Sequence, residues 1–353
     1  MIRIGSELLP PHLPSTPRGF AWWYADIVGG AGDAVVLLWA RRLPFVPVRP
    51  DGDEAPLAVA LAVYRNGREC FYALQTRAER EARESPGELR IGDSCFRVRS
   101  HAGRVSLRAD LDLLLPASGR VTGVVELEGA RTTIQAGSES PLDWFPITAT
   151  ALGRASLDWE GGSCDVVGRG YFDGNAAAEP LHELGIADWR WGRVSFPSRE
   201  VVYFQVSPAS GDAPPTVLSI SKRGDGRAVA GATSELADAA PGWFGLRRAE
   251  RLALSLPGER IEVQFQHQVE DGFFYQRYLT AARSTSGETG HGVAERVAPS
   301  RLASSWHRPL VRMRVDQHGL APSRWYPLFS GARAGRWSRL LASWGRPGGQ
   351  VTT

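Results

Sequence analysis

The segment GRGYFDGN (168–175) places a tyrosine, Tyr171, two residues before an aspartate, Asp173, and the chain soon returns through Trp189 and Trp191. A carboxyl group held among aromatic faces is one way to protonate an unactivated carbon–carbon double bond, because π faces stabilise the cation that forms. In water an aspartic acid, pKa about 3.9, is ionised and a poor acid near neutral pH. Desolvation against Tyr171, Phe172 and nearby tryptophans, Trp144 among them, would keep Asp173 protonated. Protonating a trisubstituted alkene gives a tertiary cation that water can capture, with Tyr171 orienting the proton or the water. The same letters carry a second reading: Asp173-Gly174 is a tight-turn dipeptide whose side chains satisfy their own backbone. A turn and a site can share residues.

Trp22, Trp23, Trp189 and Trp191 are candidate substrate-contacting residues, and each could equally be a core anchor. If Gly19–Asp26 is a strand, Trp22 and Trp23 point to opposite faces, so at most one meets a given pocket. His267 alternates with Val263, Phe265 and Val269, which would set a proton-handling ring on an apolar strand face; a hydrogen-bonded core histidine is the alternative. The histidines have no HxH or HExxH spacing, so a metal site is not expected. With no GxGxxG after a strand, no P-loop and no GxSxG, neither a nucleotide cofactor nor a serine triad is expected. The reading is of a cofactor-independent protein.

The elements that must position these residues are β-strands. From Arg104 to Leu113 apolar and polar residues alternate, which predicts a half-buried strand. Ile261–Val269 repeats the pattern, and Val201–Val206, Val217–Ser221 and Leu252–Leu256 are further candidates. Asp51-Gly52, Asn66-Gly67 and Asp271-Gly272 punctuate the runs as turns. With 39 Gly and 24 Pro, the chain reads as all-β: antiparallel sheets in barrels or sandwiches. Thr76–Ser85 fits a short polar helix or a solvated loop. One amphipathic helix is expected over Ala332–Ser343, where Trp337, Leu340, Leu341 and Trp344 form a stripe.

At 353 residues the chain has room for two domains, and a net charge of +3 is too mild to imply nucleic acid. Cys70, Cys95 and Cys164 are widely spaced and odd in number, the pattern of a reducing compartment. The N-terminus has prolines where a signal peptide needs an apolar core, and no apolar run has the length of a membrane span. A cytoplasmic protein is expected. Between Arg296 and Arg346 stand ten arginines and one acid, Asp316. The tail is therefore a candidate for peripheral contact with the inner face of an anionic membrane, against docking on its own barrel.

Four stretches, GFAWWYAD (19–26), PLDWFPITA (141–149), 168–193, and FFYQRYLTAA with GVAERVAPSRLASSW, follow in the order and approximate spacing of a known family. The chain resembles the carotenoid 1,2-hydratases (hydroxyneurosporene synthases), which are related to tocopherol-cyclase-like proteins and fungal Diels–Alderases. The resemblance implies two lipocalin-like β domains, expected at 1–187 and 188–330, followed by a basic amphipathic tail at 331–353. It implies an apolar pocket and cofactor-free addition of water to a terminal isoprenoid double bond. Tyr171 and Asp173 match the family's G-Y-x-D motif, and Trp144 matches the tryptophan of an H-x-W motif. The histidine of that motif is replaced by Leu142, and His267 is a candidate to take over its proton-shuttling role. Two other readings stand beside hydration. One is a cyclase folding a polyene or polyketide; the other is a non-catalytic binder of hydrophobic metabolites.

Overall fold

A computed structural model describes residues 2–4, 18–44, 57–134, 142–242, 244–303 and 308–344. The Asp51-Gly52 turn and the tail beyond Trp344, Arg346 included, lie outside the described residues. Apart from short helical segments the chain is β, arranged as two curled antiparallel sheets.

The first sheet runs in hydrogen-bonded order Gly331–Ala332, Arg68–Arg77, Leu57–Arg65, Ala34–Arg41, Phe20–Val28, Gly162–Ala177 and Leu142–Trp159. It continues through Gly119–Ala130, Arg104–Leu115, Ser94–His101, Glu88–Ile91 and Ala82–Ser85. Ile2–Ile4 adds in parallel to Leu142–Trp159. The second sheet runs Gly226–Ala228, Thr216–Ser221, Arg199–Pro208, Ile186–Ser195, Thr289–Val297, Tyr275–Ser284, Glu259–Asp271, Arg247–Leu256 and Thr233–Pro241. The strand Ile186–Ser195 spans the expected 187/188 boundary, and Gly331–Ala332 returns to pair with Arg68–Arg77 at the edge of the first sheet.

Alternation along the strands feeds three apolar cores. One face of the first sheet closes on itself around residues such as Trp39, Phe96, Leu107 and Phe172. The second sheet encloses a smaller cluster that includes Tyr203, Leu254 and Ile261. The third core lies between the sheets and takes side chains from both, among them Trp22, Tyr24, Trp144, Tyr171, Trp189, Trp191 and Phe204. Alternation is cleanest at Arg104–Leu115, where every second residue is buried.

Two expectations change with the coordinates. Thr76–Ser85 is neither a helix nor a loop throughout: a 3-10 turn at Glu79–Glu81 leads into the edge strand Ala82–Ser85. The last helix is Arg336–Trp344, four residues later than read, because Gly331–Ala332 is held by sheet pairing. Of its apolar stripe only Leu340 is buried; Trp337, Leu341 and Trp344 are exposed.

Candidate active site

Asp173-Gly174 does not turn. It lies inside the strand Gly162–Ala177, with Phe145 and Trp23 as the cross-strand neighbours of Gly174. Asp-Gly favours a turn through local backbone freedom, but here two long neighbouring strands hold the segment extended. Alternation then puts Tyr171, Asp173 and Asn175 on the face toward the second sheet, and Phe172 and Ala176 on the other.

The Asp173 carboxyl is 2 % exposed. Trp144 Nε1 donates to its Oδ2 at 2.8 Å, Tyr171 Oη donates to the same oxygen at 2.9 Å, and Asn175 Nδ2 donates to Oδ1 at 3.2 Å. All three donors are neutral. Burial pushes the Asp173 carboxyl up to about 8; the Trp144 and Tyr171 hydrogen bonds pull against that rise, and negative charge on Glu295 and Asp26 adds to it. Burial beside Asp173 likewise raises Tyr171 far above the ordinary tyrosine range, so it stays a hydroxyl donor. Burial thus favours the neutral acid over the carboxylate at Asp173.

Asp173 opens on a cavity between the sheets, in which the centre of a water-sized sphere can range over about 130 Å³. A single cross-strand row of the first sheet, Asp173, Tyr24, Leu38, Ala60 and Leu74, forms one wall. A row of the second sheet, Trp191, Glu295, Arg277 and Glu270, lines the cavity as well. Trp22, Trp189 and Phe273 contribute aromatic surface, and Val311, Arg314 and Val315 contribute from the segment that follows the second sheet. The rings pack in two groups: Trp22 lies 5.7 Å from Trp189, which lies 4.6 Å from Phe204, and Trp144 meets Phe204 edge-on at 5.3 Å; Trp191 lies 5.3 Å from Tyr171 and 5.1 Å from Tyr24.

Of the residues read from sequence, the structure gathers Asp173, Trp22, Trp189 and Trp191 at the cavity, with Trp144 and Tyr171 bound behind the acid. Trp23 and His267 are elsewhere. Trp23 faces the first sheet's own core, stacked on Trp39 at 5.9 Å, as strand alternation demands once Trp22 faces the cavity. His267 is exposed, close against Gly67 of the Asn66-Gly67 turn. Irregular register between Phe265 and His267 inserts one residue, so the histidine leaves the face that Val263 occupies. Leu142 is buried in the core between the sheets, on the same face as Trp144, and cannot carry a proton. Asn175, Tyr24, Glu295, Arg277 and Glu270 went unread. Asn175 merely continues the Tyr171–Asp173 alternation; the others needed a signal for charge at inward strand positions, as at Arg277 and Glu295.

Fold and cavity define the class of protein: two curled antiparallel sheets around a mostly apolar, aromatic-walled chamber with a buried carboxyl on its wall. Comparison with known families fixes the affiliation, because the family described as carotenoid hydratase CrtC matches residues 40–321. The chain belongs to the carotenoid hydratase family and is an enzyme that adds water, a carbon–oxygen lyase. It is 24 % identical over 316 residues to the acyclic carotenoid 1,2-hydratase of Thiocapsa roseopersicina, covering 86 % of this chain and 74 % of that protein. It is also 24 % identical over 344 residues to a protein of Chlorobaculum tepidum named hydroxyneurosporene dehydrogenase, covering 87 % of this chain and 90 % of the relative. Among solved structures, a protein from Nitrosomonas europaea described as a putative AttH matches with a TM-score of 0.59 at 12 % identity, over 82 % of this chain and 98 % of that one. CghA in complex with Sch210972 matches with a TM-score of 0.56 at 11 % identity, over 84 % and 98 %. These two likenesses concern the fold. Among the described residues no helix is long and apolar enough to cross a membrane.

Proposed function

We propose that this enzyme hydrates a terminal trisubstituted double bond of an acyclic carotenoid or a similar isoprenoid, with Asp173 as the general acid. The observation that carries the reading is the Asp173 carboxyl itself: buried, bonded only by neutral donors, and facing an apolar cavity. Its proton is placed where a hydrocarbon end can take it. The double bond's π electrons form the new C–H bond at its less substituted, chain-side carbon, and the terminal, dimethyl-bearing carbon becomes the tertiary cation. Trp22, Trp189 and Trp191 offer π faces to that charge. Trp144 and Tyr171 hold the carboxyl and stabilise the carboxylate left behind. The chamber suits a chain end rather than an entire C40 molecule, so the remaining polyene would run out along the aromatic wall.

The test is incubation of the protein with an acyclic carotenoid in ¹⁸O-labelled water. The expected product gains one labelled oxygen and two hydrogens, and Asp173→Asn lowers the rate by about 10²–10⁴-fold while the fold is kept. An isomer of unchanged mass would mark a cyclase, and tight retention of unaltered lipid a binder. Turnover by Asp173→Asn at the wild-type rate would remove the acid assignment.

Delivery of such a substrate fits a peripheral membrane contact. The helix Arg336–Trp344 exposes Trp337, Leu341 and Trp344, Trp325 packs edge-on against Trp344, and Arg324 and Arg333 are exposed nearby. Flotation with anionic vesicles is expected to fall when Trp337, Leu341 and Trp344 are changed to serine; unchanged flotation would remove the contact.

A further inference from the structure

Hydration moves two protons. The acid gives one to carbon, and the water that captures the cation must lose one; the hydrocarbon side chain at Leu142 can accept neither. The cavity wall facing Asp173 supplies the missing acceptor. Trp191, Glu295, Arg277 and Glu270 are successive cross-strand partners in the second sheet, so their side chains share its inward face. Arg277 is shared within this row. Its Nε donates to Glu295 Oε1 at 2.9 Å, while its Nη1 is bound by Tyr64 Oη at 2.7 Å and by Glu270. One oxygen of Glu295 is thereby anchored, and the residue lines the cavity.

The cavity that Glu295 lines also holds polar atoms that the fold has buried but not bonded. Tyr24 Oη, Asn175 Oδ1, Trp189 Nε1, Trp191 Nε1 and Tyr275 Oη find no partner among the described residues, and all five residues line the cavity. Tyr24 and Asn175 come from the first sheet, and Trp189, Trp191 and Tyr275 from the second. Leaving a buried polar atom unbonded costs about 1–3 kcal/mol, and five around one cavity are a large cost for a structure that gains nothing from them. Donors and an acceptor converging from two walls match the needs of a water molecule, which takes 2–4 hydrogen bonds in such sites, roughly, and must be held beside the reacting carbon.

We propose that Tyr24, Trp191 and Glu295 seat the nucleophilic water and that Glu295 is the general base that accepts its proton. The proposal rests on the hydratase reading and extends it to the second proton. In sequence, the Asp173 O–H bond breaks and its proton joins the less substituted alkene carbon through the π pair, leaving the terminal tertiary carbon cationic. A water lone pair then forms the C–O bond at the cationic carbon, one water O–H bond breaks, and that proton passes to the Glu295 carboxylate. Transfer of the proton from Glu295 to the Asp173 carboxylate, through cavity water, restores both groups; the net change is addition of one H₂O. The pairing of roles follows from the surroundings. Glu295 accepts from the Arg277 guanidinium and Asp173 only from neutral donors, so the arginine-bound carboxyl is the one suited to the base's role.

Wild type, Glu295→Gln, Glu295→Asp and Tyr24→Phe are compared for hydration of an acyclic carotenoid across pH, with thermal melting of each, and wild type is crystallised at high resolution. Glu295→Gln is expected to lose about 10²-fold in kcat with little change in KM and to lose the acid limb of the pH profile, and Glu295→Asp to recover part of the rate. The crystals are expected to show an ordered water within hydrogen-bond distance of Tyr24 Oη, Trp191 Nε1 and Glu295. A folded Glu295→Gln enzyme with wild-type kcat and pH profile overturns the base, and crystals with no water at Glu295 overturn the seat. A wild-type protein that hydrates no carotenoid defeats the hydratase reading, and the crystallographic result still decides the seat.

Discussion

Two aspartates on adjacent strands of the first sheet, Asp26 and Asp173, are buried to almost the same degree yet live under opposite electrostatic conditions. Asp26 is the cross-strand partner of Tyr171, and Asp173 that of Tyr24, so the two carboxyls project from one face a short step apart. What differs is the second sheet across from them. Opposite Asp26 stands Arg193, itself fully buried, whose Nε reaches both carboxylate oxygens at 3.0 and 3.1 Å and whose other nitrogens bind Glu200 Oε1 at 2.8 Å and the Arg169 carbonyl at 3.0 Å. Opposite Asp173 stand rings and the cavity, whose far wall carries Arg277 bonded to Glu295 and Glu270 and not to the acid. Burial alone therefore does not decide what a carboxyl becomes. The groups bonded to it matter as well, and the chain has built an ion-paired tie between the sheets beside an acid bonded only by neutral donors.

The comparison breaks most severely at Arg193. Arg193→Met would strand Asp26 and Glu200 without their cation and is expected to cost about 3–5 kcal/mol in urea unfolding. Replacing all three together, with Asp26→Asn and Glu200→Gln, should return most of that loss, because the cost lies in the unpaired charge. If Arg193→Met unfolds at the wild-type midpoint, the tie between the sheets carries no stability.

The next effect is on stability against pH, and it runs opposite to ordinary acid denaturation. The folded Asp173 carboxyl titrates at about 8, against about 3.9 when unfolded. Between those values the folded state holds one more proton than the unfolded chain, so Asp173 lowers stability as pH rises through that window. Its contribution approaches ~1.4 kcal/mol per pH unit and levels off above the folded value. Asp173→Asn is expected to remove this slope and to be the more stable protein at pH 8. Parallel urea titrations at pH 5 and pH 8 measure it, and equal slopes would mean that Asp173 is ionised in the folded protein. The same titration limits catalysis: hydration should fall about tenfold per unit above pH 8, because the proton to be donated is gone.

How much of this was legible follows from how local each signal is. Alternation at Arg104–Leu115 and the Tyr171–Asp173 pair are spelled within one strand, and the coordinates keep them. The Asp173-Gly174 turn signal is also local, and the pairing of two long strands overrides it. His267 shows the limit of counting by twos: one inserted residue at the irregular register turned its ring out to solvent, and no feature of the sequence announces that residue. The facing wall is beyond local reading altogether. Glu295, Arg277 and Glu270 become a row only through strand register. The two late segments that hold Arg277 and Glu295 carry the family likeness, and the only local sign of the facing wall is the charge each sets among apolar neighbours.

The finest probe of the comparison is Trp144, which acts on Asp173 as a weak, neutral counterpart of Arg193. Its indole N–H donates to Asp173 Oδ2 at 2.8 Å and so favours the carboxylate, opposing part of the rise that burial imposes. Trp144→Phe keeps an aromatic ring of similar place against Phe204 and removes only that donor. The sign follows directly. With one fewer hydrogen bond to its charged form, Asp173 should titrate higher still, so the alkaline limb of the activity profile moves upward in pH. A hydrogen bond of about 0.5–1.5 kcal/mol corresponds to a displacement of roughly half a unit to one unit. At neutral pH, where the acid is already protonated, the rate should change by only a few-fold through looser positioning of the carboxyl. A limb that moved to lower pH would mean that the indole binds the neutral acid, and that the carboxylate draws its stability from the cavity instead.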